Sequence, residues 1–170
     1  MRVSDPETWA IVLAAGASTR FGSPKQQVLL EPVLERVRES SVDEVIVVLG
    51  AHALEVSAPT VHCPDWERGP GASLRCGIQA LPAEAKAAVV VLGDGPNLNP
   101  TAIDRVIAAW RDQNAEIVAA TYGGVRLHPV LLARSAWNTV PDEGARTLDA
   151  VLVSCDDLGP PGDVDFADEV

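Results

Sequence analysis

Trp9-Ala10-Ile11-Val12-Leu13-Ala14-Ala15-Gly16-Ala17-Ser18-Thr19-Arg20-Phe21-Gly22-Ser23-Pro24-Lys25 opens as an apolar run of strand length, breaks into small residues and ends on two cations, Arg20 and Lys25. Ile11 to Leu13 has the character of a buried strand. Ala14-Ala15-Gly16-Ala17-Ser18 carries almost no side-chain bulk, so its backbone N–H groups can come close to a ligand. Successive N–H groups in such a turn form a concave nest that suits phosphate oxygens. Arg20 offers a planar bidentate fork and Lys25 a mobile point charge, both matched to a polyphosphate. Pro24 stiffens the chain just before Lys25. The plain alternative is a strand followed by a surface loop with solvated cations. The stretch is neither a P-loop, Gly-x-x-x-x-Gly-Lys-Ser/Thr, nor the Gly-x-Gly-x-x-Gly dinucleotide fingerprint.

Outward from this stretch, strand and helix patterns alternate. Val45 to Leu49 and Ala87 to Leu92 are apolar runs typical of strands covered on both faces. Thr60 to Cys63, Glu116 to Thr121, Val125 to Leu132 and Val151 to Val153 read as further extended segments, with Pro129 a weak point in the third. Helical spacing covers Glu31 to Glu39 and Ala72 to Leu81. Another helix runs from Pro100 to about Trp110, capped by Asn99. Ala51 to Val56 reads as a helix start that Pro59 ends. Ala133 to Trp137 and Glu143 to Leu148 are short helical pieces. The connections at Leu30 and at Val56 look short, as loops that are truly tight or as sites where segments are absent. The alternation predicts an α/β fold over residues 1–170, a three-layer sandwich around a largely parallel, Rossmann-like sheet. Ligands in such sheets bind at the carboxyl ends of strands, near a switch in strand order.

Composition narrows the function. The chain has 170 residues, 47% of them hydrophobic, enough to bury a real core. No apolar run is long enough to cross a bilayer, and Met1 to Glu7 lacks the apolar region of a signal peptide. Cys63, Cys76 and Cys155 form no Cys-x-x-Cys pair, which argues against a zinc site and against a disulfide framework. A reducing, cytoplasmic setting is the expectation. The formal net charge of −11 argues against a nucleic-acid-binding surface. Arg20, Lys25, Arg68 and Arg75 nevertheless stand beside glycine-rich turns. That arrangement suits a small anionic ligand in a cleft.

Further groups carry chemistry. Asp94 ends the Ala87–Leu92 strand between Gly93 and Gly95. A carboxylate there suits Mg²⁺, which takes one or two carboxylates plus substrate phosphates; an ordinary Asp-Gly turn is the alternative. Gly69-Pro70-Gly71-Ala72-Ser73-Leu74-Arg75 enters a helix, whose N-terminus offers N–H groups and a positive dipole. Ser73 is placed for a base or ribose and Arg75 for a phosphate, or else Ser73 caps and Arg75 is solvated. His128 can contact a substrate or serve the structure. Asp142-Glu143-Gly144-Ala145-Arg146 reads as a binding segment or a helix start. Asp163-Val164-Asp165 offers a second metal carboxylate or merely an acidic tail.

In this order the motifs resemble the molybdenum cofactor cytidylyltransferase branch of the nucleotidyltransferase superfamily. They are Leu13 to Lys25, Asp65 to Gly69, Ser73 to Ile78, Gly93-Asp94-Gly95-Pro96, His128-Pro129-Val130-Leu131 and Asp142 to Arg146. The resemblance implies a nucleotide-diphospho-sugar transferase type of sheet. The implied reaction is attack of the terminal phosphate of a molybdopterin cofactor on the α-phosphate of CTP, with release of pyrophosphate. Leu13, Ala14, Ala15 and Gly16 would cradle the nucleotide, with Gly71 and Ser73 at base and ribose. Arg20, Lys25 and Asp94 would be catalytic. Asp94 and Asp165 would hold Mg²⁺, or Mn²⁺ in its place. Arg75, His128 and Arg146 would bind substrate. A recipient molybdoenzyme is an implied partner; nucleic acid and membrane are not. The family usually has Gln where this chain has Gly95. Its closing Asp-Ile-Asp-Thr-Pro-Glu-Asp is replaced by Asp163-Val164-Asp165-Phe166-Ala167-Asp168-Glu169, and the Lys25–Val33 segment is short. GTP, a different phosphorylated acceptor, or a non-catalytic accessory role in nucleotide and cofactor binding are the alternatives.

Overall fold

A computed structural model describes residues 7–15, 25–51 and 53–162. In chain order it contains β1 (Thr8–Ala14), α1 (Lys25–Glu39), β2 (Glu44–Leu49), β3 (Thr60–His62), α2 (Pro70–Gln79) and β4 (Ala87–Leu92). There follow α3 (Pro100–Gln113), β5 (Ile117–Tyr122), β6 (Val125–Ala133) and β7 (Val151–Ser154). The strands form one seven-stranded sheet in the order β3-β2-β1-β4-β6-β5-β7. β6 runs antiparallel to β4 and β5, and the other pairings are parallel.

The sheet is covered on both faces. Alternation in β1 sends Ala10, Val12 and Ala14 toward α1 and α3, where Val33, Leu34, Ile103 and Val106 are fully buried. Ile11 points the other way, toward Leu74 of α2. The result is the three-layer α/β sandwich that the alternating pattern predicts. Asn99 caps α3 as expected, its Oδ1 accepting the Thr101 N–H at 2.9 Å.

Three expectations need correction. First, α1 is longer than Glu31 to Glu39, because it begins at Lys25 and continues through Pro32. Leu29, Leu30, Val33, Leu34 and Val37 form one stripe, each at most 1% exposed. Burying five such side chains at about 1.5–3 kcal/mol each outweighs the roughly 3 kcal/mol cost of an interior proline. Leu30 is therefore no connection at all. Second, Ala51 to Val56 does not start a helix among the described residues. Leu54, Val56 and Ala58 pack instead against the α1 side of the core. Ser57 is clamped to α1: its N–H and Oγ donate to Glu31, at 2.7 and 2.6 Å, and Arg38 donates to its carbonyl. These bonds hold the Glu31 carboxyl below its usual pKa.

Third, Cys63 and Cys76 form a disulfide, with Cα atoms 5.8 Å apart. The pair has no motif spacing because the fold makes it, bringing the chain after β3 against α2. It runs against the reducing setting expected from cysteine usage. Cys155 is free and buried.

Pro129 is accommodated by a bulge. β6 pairs Val130 with Ala119 and Leu127 with Ala120, so His128 and Pro129 lie in the irregularity. The bulge sits where β6 leaves β4, beyond the Val90–Val130 pair. It turns the His128 side chain toward the end of β4.

Candidate functional site

Strand order reverses between β1 and β4: the chain leaves β1 toward β2 and β3, then returns to β4 on the other side. The carboxyl ends of these two strands are joined, the Gly93 N–H donating to Leu13 O at 2.9 Å. Ala15 O accepts the Ala51 N–H at 3.0 Å, which ties in the end of β2. Ala14 and Ala15 are buried, and Asp94 sits half-buried in the turn just beyond β4. The parallel strands, the small residues and the strand-end carboxylate thus converge where the fold places ligands.

Two adjoining cavities open there. The smaller, about 280 Å³, is lined by Ala15, Trp66, Glu67, Gly69 and Ser73 among others. The larger, about 550 Å³, has Leu74, Val90 and Val130 in its lining, with Arg126, Glu143 and Arg146. Leu13, Pro70 and Leu92 belong to both.

The wall between α2 and the 140–148 segment is tightly built. Gly71 donates its N–H to Asp142 O at 2.9 Å, and a Cβ on Gly71 would lie 1.6 Å from Pro141 O. Glycine is required at this position by close approach. The Ala72 and Ser73 N–H groups donate to Gly69 O. The first donors of α2 are therefore committed within the protein, and the helix end offers fewer free N–H groups than its sequence suggests. Ser73 itself is buried and lines the smaller cavity.

Arg75 is likewise committed. It donates to Val140 O at 2.8 Å and to Asp142 Oδ1 at 2.5 Å, while Arg68 approaches the other carboxylate oxygen at 3.5 Å. The Arg75 hydrogen bond, opposed by a little desolvation and helped by Arg68, holds the Asp142 carboxyl below its usual pKa. Arg75 faces the loop rather than the cavities.

His128 is 7% exposed and lines the larger cavity. Its Nδ1 accepts the Leu92 N–H at 3.4 Å, which puts the proton of a neutral imidazole on Nε2. Its carbonyl accepts the Tyr122 hydroxyl at 3.0 Å. A Cβ on Gly95 would meet the imidazole Cε1 and Nε2 at 2.9 Å and Gly162 O at 3.1 Å. The imidazole occupies the space that a side chain at 95 would need. This explains the glycine where the resembling family has Gln.

The structure thus gathers Leu13, Ala14, Ala15, Ser73, Asp94, His128 and Arg146 at one end of the sheet. Lys25 is the first residue of α1. Gly16, Arg20 and Asp165 lie outside the described residues. Pro161 O accepts the Asn97 N–H at 2.9 Å, and a Cβ on Gly95 would lie 3.1 Å from Gly162 O. Among the described residues, no group of three metal-ligating side chains forms. One strand-end carboxylate still fits Mg²⁺, which completes its shell with substrate phosphates and water.

Sequence reasoning missed Arg126. It donates from Nη1 to Leu148 O at 2.6 Å and from Nη2 to Ala145 O at 2.8 Å. Its place two residues before His128 was the available signal, although the bulge interrupts that alternation.

A sequence profile of the MobA-like NTP transferase domain matches residues 10–156. The chain belongs to this family. Its domain is therefore of nucleotidyltransferase type. The MobA-like chain is 32% identical over 166 residues to nicotine blue oxidoreductase of Paenarthrobacter nicotinovorans, covering 89% of this chain and 78% of that protein. It is 33% identical over 132 residues to the bifunctional protein GlmU of Mycolicibacterium vanbaalenii, covering 65% of this chain but 26% of GlmU. In structure it is similar to Rv0371c from Mycobacterium tuberculosis H37Rv, with a TM-score of 0.80, 27% identity and coverage of 98% of this chain and 96% of that one. A manganese complex of Rv0371c is also similar, with a TM-score of 0.70 at 22% identity over 89% of each chain.

Proposed function

We propose that this MobA-like protein transfers CMP from CTP to the terminal phosphate of a molybdopterin-type cofactor. The acceptor oxygen bonds to the α-phosphorus, the α–β P–O bond breaks, and pyrophosphate leaves with the electron pair. One observation carries the reading: two adjoining cavities share Leu13 and Leu92 at the joined ends of β1 and β4, and Leu92 stands two residues before Asp94 in the chain. The smaller suits the nucleotide, with Ala14, Ala15 and Gly16 at the phosphates and Gly71 and Ser73 at base and ribose. The larger suits the acceptor, with His128 and Arg146 at its lining.

An attacking phosphate needs no protein base, so positioning and charge neutralisation supply the catalysis. Arg20 and Lys25 neutralise the triphosphate. Asp94 and Asp165 would hold Mg²⁺, or Mn²⁺ as in the Rv0371c complex. When bound there, the ion would neutralise charge on the phosphates. Arg75, expected from sequence to touch phosphate, acts in this reading by fixing the 140–142 wall. No described helix is long and apolar enough to cross a membrane. We place the reaction in the cytoplasm, where CTP is made, with the Cys63–Cys76 disulfide an exception to the reduced thiols usual there and a recipient molybdoenzyme downstream.

Nicotine blue oxidoreductase motivates a second reading, an oxidoreductase on the same scaffold. One screen separates the two. Pyrophosphate release is measured for CTP, GTP, ATP and UTP with Mg²⁺ or Mn²⁺, with and without molybdopterin cofactor, alongside oxidation of reduced nicotinamide nucleotides. CTP- and acceptor-dependent release is expected. Release with GTP alone would change the nucleotide. Tight nucleotide binding without release would leave an accessory role, and nicotinamide oxidation would favour the second reading.

A further inference from the structure

Arg126 is a half-buried cation in the lining of the larger cavity. It stands on β6 opposite Thr121 and reaches across to the wall formed by the 145–148 segment. Both of its hydrogen-bond partners there are neutral carbonyls. Among the described residues its Nε is buried without a hydrogen-bond partner. Desolvation lowers its pKa, and the charge of Asp149 opposes that shift. A guanidinium remains charged through such a shift. Two of its five N–H groups are committed to Ala145 and Leu148, which leaves three.

The cavity around it is otherwise largely apolar, with Leu74, Val90, Leu92 and Val130 in the lining. A cation held against apolar surface is costly unless an anion accompanies it. Glu143 and Arg146 also line the cavity, but both are exposed and meet water. Their charges are screened, whereas a charge at the half-buried position acts at lower effective dielectric.

We propose that Arg126 binds the anionic group of the acceptor, and that the larger cavity takes a molecule with an apolar or aromatic body carrying that anion. This rests on the assignment of the larger cavity to the acceptor. The residue does two jobs in one geometry: one N–H of each Nη fixes the wall, and the second N–H of each is left for the ligand's anion. A neutral analogue of the same shape leaves the cation desolvated and uncompensated, so the pocket discriminates by charge.

The probes are 1-naphthyl phosphate and 1-naphthol, which share an apolar bicyclic body and differ in charge. Calorimetric titration of the wild-type protein at low salt is expected to show the phosphate binding roughly tenfold or more tightly, as suits charge-assisted hydrogen bonds. Arg126→Gln is expected to lose most of that ratio, and Arg36→Gln, an exposed cation of α1 that lines neither cavity, to keep it. An undiminished ratio in Arg126→Gln, or no preference in the wild type, overturns the proposal. Should Arg126→Gln fail to fold, nitrogen-15 spectra of the wild-type protein decide the matter. The Arg126 Nε–H resonance is expected to shift with naphthyl phosphate and to stay fixed with naphthol; equal responses overturn the assignment. Failure of CMP transfer with an Arg126-dependent probe preference intact would sink the transferase reading alone. Transfer with an unchanged acceptor KM in Arg126→Gln would sink the Arg126 assignment alone.

Discussion

Replacing Gly71 by alanine puts the wall of the site under direct strain. The new Cβ would stand 1.6 Å from Pro141 O, 2.7 Å from Pro141 C and 2.9 Å from Asp142 C, where real Cβ contacts stay beyond 3.0 Å. The obstacle is backbone, so no flexible side chain can swing away. The 141–142 segment must retreat by well over 1 Å, or α2 must lift from it. Either movement breaks the Gly71 N–H bond to Asp142 O and pulls Val140 O from Arg75. The first bond contributes about 1 kcal/mol and the second about 1.5–3 kcal/mol, being donated by a charged group. The partly exposed Arg75–Asp142 pair adds little more. A loss of about 2–4 kcal/mol lowers the melting temperature by roughly 5–15 °C in a domain of this size. Displacement on this scale also costs up to about 100-fold in transfer rate. Urea denaturation and separate KM values for CTP and acceptor provide the assay. An alanine variant with the wild-type midpoint and unchanged acceptor KM would refute the packing of this loop on α2.

Other perturbations reach different parts of the molecule. Gly95→Gln should destabilise by about 1–3 kcal/mol, as overpacking does, because the side chain collides with the His128 imidazole and Gly162 O. Adding His128→Ala should recover part of that loss in thermal melts, and strict additivity would show that the two positions do not compete for space. Thiol titration of the denatured, unreduced wild type should find one free cysteine, Cys155, whereas Cys76→Ser should expose two. The same variant should lose about 3 kcal/mol, the loop-closure contribution for such a short loop, and reductant should erase the difference. Three free thiols in the wild type would dispose of the bond. In acid, Asp157 is held down to about 2 by the Arg105 hydrogen bond, and Asp142 is lowered through Arg75. A depressed carboxyl pKa stabilises above the unfolded value, near 3.9, and that contribution is lost as pH falls through the folded value. Urea midpoints should therefore drop between about pH 4 and pH 2. Asp157→Asn should flatten that drop, and an unaltered acid profile in this variant would count against the pairing.

Much of the layout was legible because burial on both faces leaves an apolar imprint. β1, β2 and β4 are continuous apolar runs, and β4 has the bounds its run predicts. Asn99-Pro100 marked the start of α3. Local rules failed where distant packing decides the conformation. Pro32 hid the first turns of α1, although the apolar stripe passes through it. Val56 lies in an irregular crossover because Glu31 and Arg38 of α1 hold Ser57. Cys63 and Cys76 meet only after β3 and α2 are packed. The site divides in the same way. Asp94 announced itself by ending a buried strand between glycines. The partners of Arg75 are 65 and 67 residues away, and those of Arg126 are 19 and 22 residues away. No local motif encodes which cation faces a ligand and which one ties down a loop.

The chemistry at the end of β4 is open to one direct measurement: transfer of radiolabel from [α-³²P]CTP to molybdopterin cofactor, followed with Mg²⁺ in the wild type and in Asp94→Ala. Labelled adduct and unlabelled pyrophosphate are expected from the wild type. The label should stay in CTP with Asp94→Ala, provided that its melting temperature is unchanged. Undiminished adduct formation by Asp94→Ala, or no adduct from a wild type that binds both substrates, would contradict a nucleotidyl-transfer site built around Asp94.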